Sequence, residues 1–265
     1  RDPFAHARAR VMLTVYHEAW SADAVERFDV LGVEVPFECD LVNPATGATS
    51  RTFRLAGKLD AICRERATGR VLIVEHKTSS EDLTPGGDYH ARLRMDSQVS
   101  TYFAGARALG YEPAACLYDV LRKPALRPQA ATLSEARRYT KPTKAQPEPR
   151  LYAGQREHDE TPDEYEARIL DAMARDVGAW VHRVEVVRLD AEREEAAADV
   201  WQLARMIRDA QVEGRHPRNP DACHLRGSTC PYWLACSGAE RLDGPSFRVL
   251  DDPHPELAST EITSP

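Results

Sequence analysis

The sequence predicts a mixed α/β chain, a central mixed sheet flanked by helices, followed by a Cys-rich C-terminal segment. Three observations predict it. Short apolar stretches bounded by turn residues alternate with longer stretches in which apolar residues recur every three or four positions. The predicted order is helix, three-stranded meander, helix, strand, then further helices, which sandwiches a sheet between helices. At 265 residues and 42% hydrophobic content, the chain can bury one sizeable core.

Residues 3–28 read as a helix, because Val11, Val15 and Ala19 recur at four-residue spacing beside Leu13 and Trp20. Strands follow over 30–42 and 51–64, separated by turn signals at Asn43-Pro44 and Gly47. The turn Ala67-Thr68-Gly69-Arg70 leads into a third, short strand over 71–77. A loop over 79–87 ends in Pro85-Gly86-Gly87, a helix over 89–109 closes at Gly110, and residues 115–121 form another strand. Residues 122–160 are polar and contain prolines, and no element is assigned to them. Thr161-Pro162-Asp163-Glu164 is a helix start, with Thr as N-cap, Pro in the first position and Glu in the third; that helix is expected to reach about Val181. A strand over 183–189 and a long helix capped by Asp190 and ending at Gly214 complete the order. The chain is therefore divided into a core over 1–215, a Cys-rich segment over 216–243 and a flexible tail over 244–265.

No run of 18 apolar residues exists, so no membrane span is expected. Residues 1–20 carry charges throughout and have no apolar core of a signal peptide; the chain begins at Arg1 and reads as trimmed. A net charge of −7 argues against nonspecific coating of nucleic acid. The charge is uneven, however. Between Leu121 and Arg150 eight Lys/Arg face two Glu, a local +6. Such a strip suits a phosphate backbone, or is a solvated, Pro-rich connection.

The most informative stretch is the apolar strand Val71-Leu72-Ile73-Val74, which runs straight into Glu75-His76-Lys77. Strand alternation sets Glu75 and Lys77 on one face and His76 on the other. Asp60 lies on the preceding strand. A turn centred between Ala67 and Thr68 sets Asp60 opposite Glu75; one centred between Thr68 and Gly69 sets it opposite Lys77. Either register gathers Asp60, Glu75 and Lys77 on one face, and a one-residue slip would disperse them. Two carboxylates, with the His76 backbone carbonyl as a third oxygen, suit a hard divalent cation. Lys77 beside it could orient or deprotonate a water or stabilise phosphate charge. Gly57 would let a substrate backbone approach. The plain alternative is a cross-strand salt bridge. On the next helix, Gln98 and Tyr102 share a face at i and i+4.

"GKLDAI", "VLIVEHKTS" and "QVSTYFAGARALG", in this order over residues 55–110, resemble the PD-(D/E)xK nuclease superfamily, and within it the RecB-type branch, whose pattern is G-x-x-D, D/E-x-K-T and Q-x-x-x-Y. The resemblance implies a restriction-endonuclease-like core and a Mg²⁺- or Mn²⁺-dependent deoxyribonuclease, an exonuclease in bacterial or phage DNA recombination, repair or processing. It implies DNA as partner, with a helicase or recombination protein as a further one, and a cytoplasmic setting. Asp60 and Glu75 become metal ligands, Lys77 the catalytic lysine, and Gln98 and Tyr102 helix residues that position the lysine, the water or the DNA. Glu34 in "LGVEVPFE" stands where this branch carries a strand glutamate. The branch also has an upstream metal-ligating histidine, for which His6 and His17 are the candidates present. A DNA-binding scaffold of the same fold without activity, or a zinc-containing interaction module, are the alternatives.

Cys223, Cys230 and Cys236 lie within fourteen residues, which in a chain without a signal peptide reads as metal binding. Thiolates suit a soft metal or an iron–sulfur cluster, and the C-x2–4-C pairs of zinc sites are missing. "C-P-Y-x-x-x-C" is similar to the ending of iron–sulfur RecB-type nucleases, both CRISPR-associated and AddB-like, in which three C-terminal cysteines and one upstream hold a [4Fe–4S] cluster. Cys39 is the fourth candidate, Zn²⁺ the alternative metal, and Cys63 and Cys116 read as small core residues.

Overall fold

The structure is a computed structural model; it describes residues 2–142, 144, 146–225, 228–252 and 254–257. The last eight residues of the expected flexible tail lie outside the described residues. Its helices are α1 (Pro3–Arg27), α2 (Asp88–Arg92), α3 (Ser97–Ala108), α4 (Pro162–Ala174), α5 (Asp190–Glu213) and α6 (Trp233–Ser237). Strands β1 (Phe28–Val42), β2 (Thr49–Glu65), β3 (Val71–Ser79), β4 (Pro113–Arg122) and β5 (Val181–Val186) form one mixed sheet in that order. The β2/β3 and β4/β5 pairs are antiparallel and β3/β4 is parallel. A separate small hairpin joins β6 (His224–Leu225) to β7 (Ser228–Thr229). Among the described residues no helix is long and apolar enough to cross a membrane.

Two compact units emerge. The first, residues 1–33, 60–99 and 112–187, holds α1, α4 and a part or the whole of each of the five strands. Helices α1 and α4 cover one sheet face, where Ala7, Val11, Met12 and Val15 pack with Tyr165, Ile169, Met173, Leu121 and Val181. The second unit, residues 34–59, 100–111 and 188–265, holds the far end of the β1–β2 hairpin, most of α3, α5 and the Cys-rich segment.

Local chemistry explains most element ends. Asp2 accepts the Phe4 N–H ahead of Pro3 to start α1. Thr161 and Glu164 form the expected reciprocal capping box on α4. Gly110 and Gly214 adopt positive φ just past their helices, as expected of C-terminal caps.

Four expectations need correction. The helix over 89–109 is broken, because Asp96 turns extended and its carboxylate accepts the Val99 N–H, starting α3 afresh. Helix α4 stops at Ala174 instead of continuing to Val181, and β5 starts two residues early and ends at Val186. The Leu121/Val181 to Cys116/Val186 ladder decides both ends, so long-range pairing overrides the local helical pattern. Leu189, not Asp190, occupies the N-cap of α5; its N–H is accepted by Glu192.

The β2–β3 turn matters most, because it sets the register of the candidate site. The Gly69 N–H donates to Glu65 and Gly69 takes a φ of 73°, which glycine adopts at no steric cost. The Glu65 carboxylate pins this corner. It accepts from the Thr68 hydroxyl, from Arg27 at 2.8 Å and 2.9 Å, and from Arg70 at 3.1 Å. These bonds hold its pKa at about 2, with Thr68 the largest contributor. A carboxylate with a depressed folded pKa stabilises the fold fully above its unfolded pKa, about 4.3, and loses that contribution as pH falls toward 2. Glu65→Gln is expected to give a shallower loss of stability across that window, read from denaturant midpoints at several acid pH values. An unchanged slope would contradict the assigned role.

Candidate active site

The β2/β3 ladder runs from Arg64/Val71 to Ala61/Val74. This is the first of the two registers considered. Asp60 turns its carboxylate onto β3: Oδ2 accepts the His76 backbone N–H at 2.8 Å and lies 3.5 Å from His76 Nδ1. Burial by itself would raise the Asp60 carboxyl. The hydrogen bonds from His76 and the charges of His76 and Lys77 outweigh it and hold the group below its ordinary range. Asp60 is therefore ionised at neutral pH.

Glu75 ends an apolar run and is 1% exposed. Its Oε1 is ion-paired with Lys77 Nζ, two residues on along the same face. The parallel partner of Glu75 is Tyr118, whose phenol is pushed up by burial and by the neighbouring Tyr89, Asp96 and Glu75. An ionised carboxylate in that position needs compensation, and the Lys77 ammonium supplies it.

His76 points to the opposite face, as alternation requires, and meets a network the sequence reading missed. Its parallel partner is Asp119, whose antiparallel partner is Arg183. The Asp119 side chain is fully buried. Oδ2 accepts from Arg183 Nε at 3.0 Å and Nη2 at 2.7 Å, and from the Tyr16 hydroxyl at 2.8 Å. Arg183 Nη1 reaches Asp23 at 2.6 Å and its guanidinium lies 4.0 Å from the Trp20 ring centre. The Tyr16 ring stands edge-on to the His76 ring at 6.4 Å. The hydrogen bond to Asp60, aided by the Asp119 charge, raises the His76 pKa against its burial. The available signal was a lone acid inside the apolar strand "ACLYDVL"; what it pairs with becomes visible only once β3 and β4 are aligned.

The remaining candidates fall in varied surroundings. Gln98 is half-buried in the first turn of α3 and Tyr102 is buried, its ring edge-on to Phe37 at 6.4 Å. Glu34 pairs with Lys58 at 2.5 Å and holds a φ of 52°, a left-handed conformation that costs a non-glycine residue about 1–3 kcal/mol. His6 and His17 are both exposed on α1; the α1 side chain that faces β3 is Tyr16. Gly57 does not open a path for substrate. A Cβ there would lie 2.7 Å from the Phe37 ring, and one on Gly105 would lie 2.5 Å from it, so both glycines make room for Phe37. Cys63 and Cys116 are buried core residues, as expected. Cys39 is half-buried, and burial, aided by Asp40, pushes its thiol up.

In the Cys-rich segment, the β6–β7 hairpin brings Cys223 and Cys230 opposite each other, the Cys230 N–H donating to the Cys223 carbonyl at 2.8 Å. Cys236 follows on α6. Among the described residues no group of three or more His, Cys, Asp or Glu side chains is gathered as a metal-binding set. Asp60, Glu75 and the intervening His76 carbonyl are hard oxygen donors, the type that a Mg²⁺- or Mn²⁺-type ion takes.

A profile of the PD-(D/E)XK nuclease superfamily matches residues 2–237. The chain belongs to the PD-(D/E)XK nuclease superfamily. Its five-stranded mixed sheet with flanking helices agrees with the restriction-endonuclease-like architecture of that superfamily. PD-(D/E)XK nucleases generally use Mg²⁺ or Mn²⁺ and act on nucleic acid. A comparison with curated proteins finds no match. Among solved structures the chain aligns with one described as "Crystal structure of SSO0001", at 14% identity and a TM-score of 0.31. The alignment covers 72% of this chain and 58% of that one, so the chain spans little over half its length. A likeness at that score carries no argument here.

Proposed function

We propose that this PD-(D/E)XK protein is a metal-dependent deoxyribonuclease of the RecB-type branch that works as an exonuclease. The observation that supports the reading is Lys77 ion-paired to Glu75 on one strand face, next to His76, whose backbone N–H donates to the Asp60 carboxylate. In this reading Asp60, Glu75 and the His76 carbonyl hold Mg²⁺ or Mn²⁺. When bound, the ion would polarise the phosphodiester and lower the pKa of an attacking water. Lys77 brings positive charge to the scissile phosphate and is the group best sited to steer a proton there. His76 fixes the Asp60 carboxylate, and Tyr16 and Asp119 line the other side of His76, an outer shell of the kind that tunes metal ligands. Gln98 and Tyr102 position the lysine or the DNA, and Glu34 and His17 are auxiliary candidates. Cleavage leaves a 3′-hydroxyl and a 5′-phosphate, as the resemblance implies. The proposed setting, by resemblance alone, is bacterial or phage DNA recombination or repair in the cytoplasm, with a helicase as a further partner.

The cluster part of the reading assigns Cys223, Cys230 and Cys236, with Cys39 as a fourth ligand, to a [4Fe–4S] staple on a 216–243 segment that follows a 1–215 nuclease core. Its support is the "C-P-Y-x-x-x-C" ending and the opposed Cys223/Cys230 backbone. Protein purified without oxygen is expected to contain iron and acid-labile sulfide and to absorb in the visible. Zinc without sulfide would replace the cluster by the alternative metal, and neither metal would remove this part of the reading while leaving the nuclease claim intact. Labelled linear and circular DNA, single- and double-stranded, incubated with Mg²⁺ or Mn²⁺, tests the exonuclease claim. Cutting of circular substrates would make the protein an endonuclease.

A further inference from the structure

The basic strip that the nuclease reading leaves unused lies on a built arm. Strands β3 and β4 run parallel, so their C-terminal ends lie together: Ser79 pairs with Arg122, and the Lys123 N–H donates to the Ser79 carbonyl at 2.6 Å. Lys77 is two residues upstream of Ser79, about 7 Å along the strand. The chain then leaves the sheet and doubles back on itself. Backbone hydrogen bonds join Glu160 to Gln129, Thr132 to Arg156, Tyr152 to Arg138 and Thr140 to Arg150, each at 2.7–2.9 Å. Side chains lock the ribbon. Gln155 clamps Arg138 N–H and the Ala136 carbonyl, and the Arg137 guanidinium donates to the Thr132 and Glu157 carbonyls. The root is fixed to α4, where Tyr165 donates to the Leu126 carbonyl and Arg168 binds both the Arg127 carbonyl and the buried Glu160.

Charge is distributed along this arm in a particular way. At the root, acids and bases neutralise one another: Arg168 with Glu160 and Arg156 with Glu164. Farther out, between Arg137 and Tyr152, there are five Lys/Arg and one Glu. Lys141, Lys144 and Arg150 have no acidic partner among the described residues, although the protein as a whole carries −7. Two aromatic rings stand among these cations and are held in solvent: Tyr139 is 46% exposed and Tyr152 52% exposed. Alternation about the Tyr139/Leu151 bridge puts Tyr152 on the same ribbon face as Arg138 and Arg150, and Tyr139 on the other. Cations that track phosphates, interleaved with rings on which unpaired bases stack, are the chemistry of single-strand binding.

We infer that the outer arm binds single-stranded nucleic acid, with Arg138, Lys141, Lys144 and Arg150 on phosphates and Tyr152 on a base. The inference deepens the nuclease reading and rests on it for the site that the strand is led to. The test is binding, not cutting: fluorescence anisotropy of a labelled oligothymidylate and of a duplex of equal length, in EDTA, over a salt series. Wild type is compared with Tyr152→Ala and with Lys141→Gln/Lys144→Gln/Arg150→Gln, each checked for an unchanged melting temperature. Tyr152→Ala is expected to weaken single-strand binding about tenfold and duplex binding much less. Neutralising three cations is expected to reduce the log–log salt slope for the single strand by about 2. Equal losses on single strand and duplex would overturn the single-strand claim, and unchanged binding in both arm variants, or no binding by wild type, would overturn the arm itself. Arm-dependent binding by a protein that cuts nothing would sink the nuclease reading alone; cleavage with arm variants that bind normally would sink this inference alone.

Discussion

Glu75→Gln is expected to lower metal-dependent cleavage by about 10³-fold while the fold is retained. The substitution keeps the shape of a side chain that is 1% exposed and removes only its charge. Two consequences follow from that one loss. The oxygen pair with Asp60 no longer carries two negative charges for a divalent ion, and the Lys77 ammonium loses the partner that fixes it. Steady-state cleavage at saturating Mg²⁺, with circular dichroism as the folding control, measures the effect. If the variant cut within tenfold of wild type, the carboxylate pair would not be the metal site. Asp60→Asn is expected to act in the same direction, since its carboxylate is held ionised by the same strand end.

The second large effect is on stability. Arg183→Ala is expected to cost about 3–5 kcal/mol, because it leaves the Asp119 carboxylate uncompensated in the core. For a chain of this size that corresponds to a melting temperature lower by roughly 10 °C. Tyr16 alone would still donate to Asp119, and one neutral donor does not replace a guanidinium that makes two bonds at 2.7 Å and 3.0 Å. Adding Asp119→Asn to Arg183→Ala removes the stranded charge, so the double variant should recover part of the loss, a non-additivity that independent sites would not show. A neutral single variant would contradict the role given to this pair. Because Asp119 neighbours His76, and His76 holds Asp60, the same substitution should also weaken cleavage in excess of its effect on folding.

How much of this was legible beforehand depends on the range of the interaction. The β2–β3 turn was readable to within two registers, because Gly69 and a five-residue link leave few ways to close it, and the ladder from Arg64/Val71 to Ala61/Val74 follows the first of them. Caps were readable for the same reason: Thr161, Glu164, Gly110 and Gly214 act on residues within a turn of themselves. Tyr16, Asp119 and Arg183 were not readable as a group. They are brought together by a parallel pairing between strands some forty residues apart and by a helix at the other end of the chain, and no local pattern encodes either. The arm beyond β4 escaped notice because its ladder is irregular and proline-broken, held by side-chain clamps such as Gln155 instead of by strand periodicity. Gly57 was misread because the ring that fills its missing side chain, Phe37, belongs to a different strand.

The central claim is that Asp60, Glu75 and Lys77 form one hydrolytic site. The measurement that tests it most directly is cleavage of labelled linear DNA with and without Mg²⁺ or Mn²⁺ by wild type and by Lys77→Ala, at equal DNA occupancy. The account predicts cleavage that requires the metal and falls by at least about 10²-fold in the variant while DNA binding is unchanged. Metal-dependent cleavage that survives intact in Lys77→Ala would contradict it.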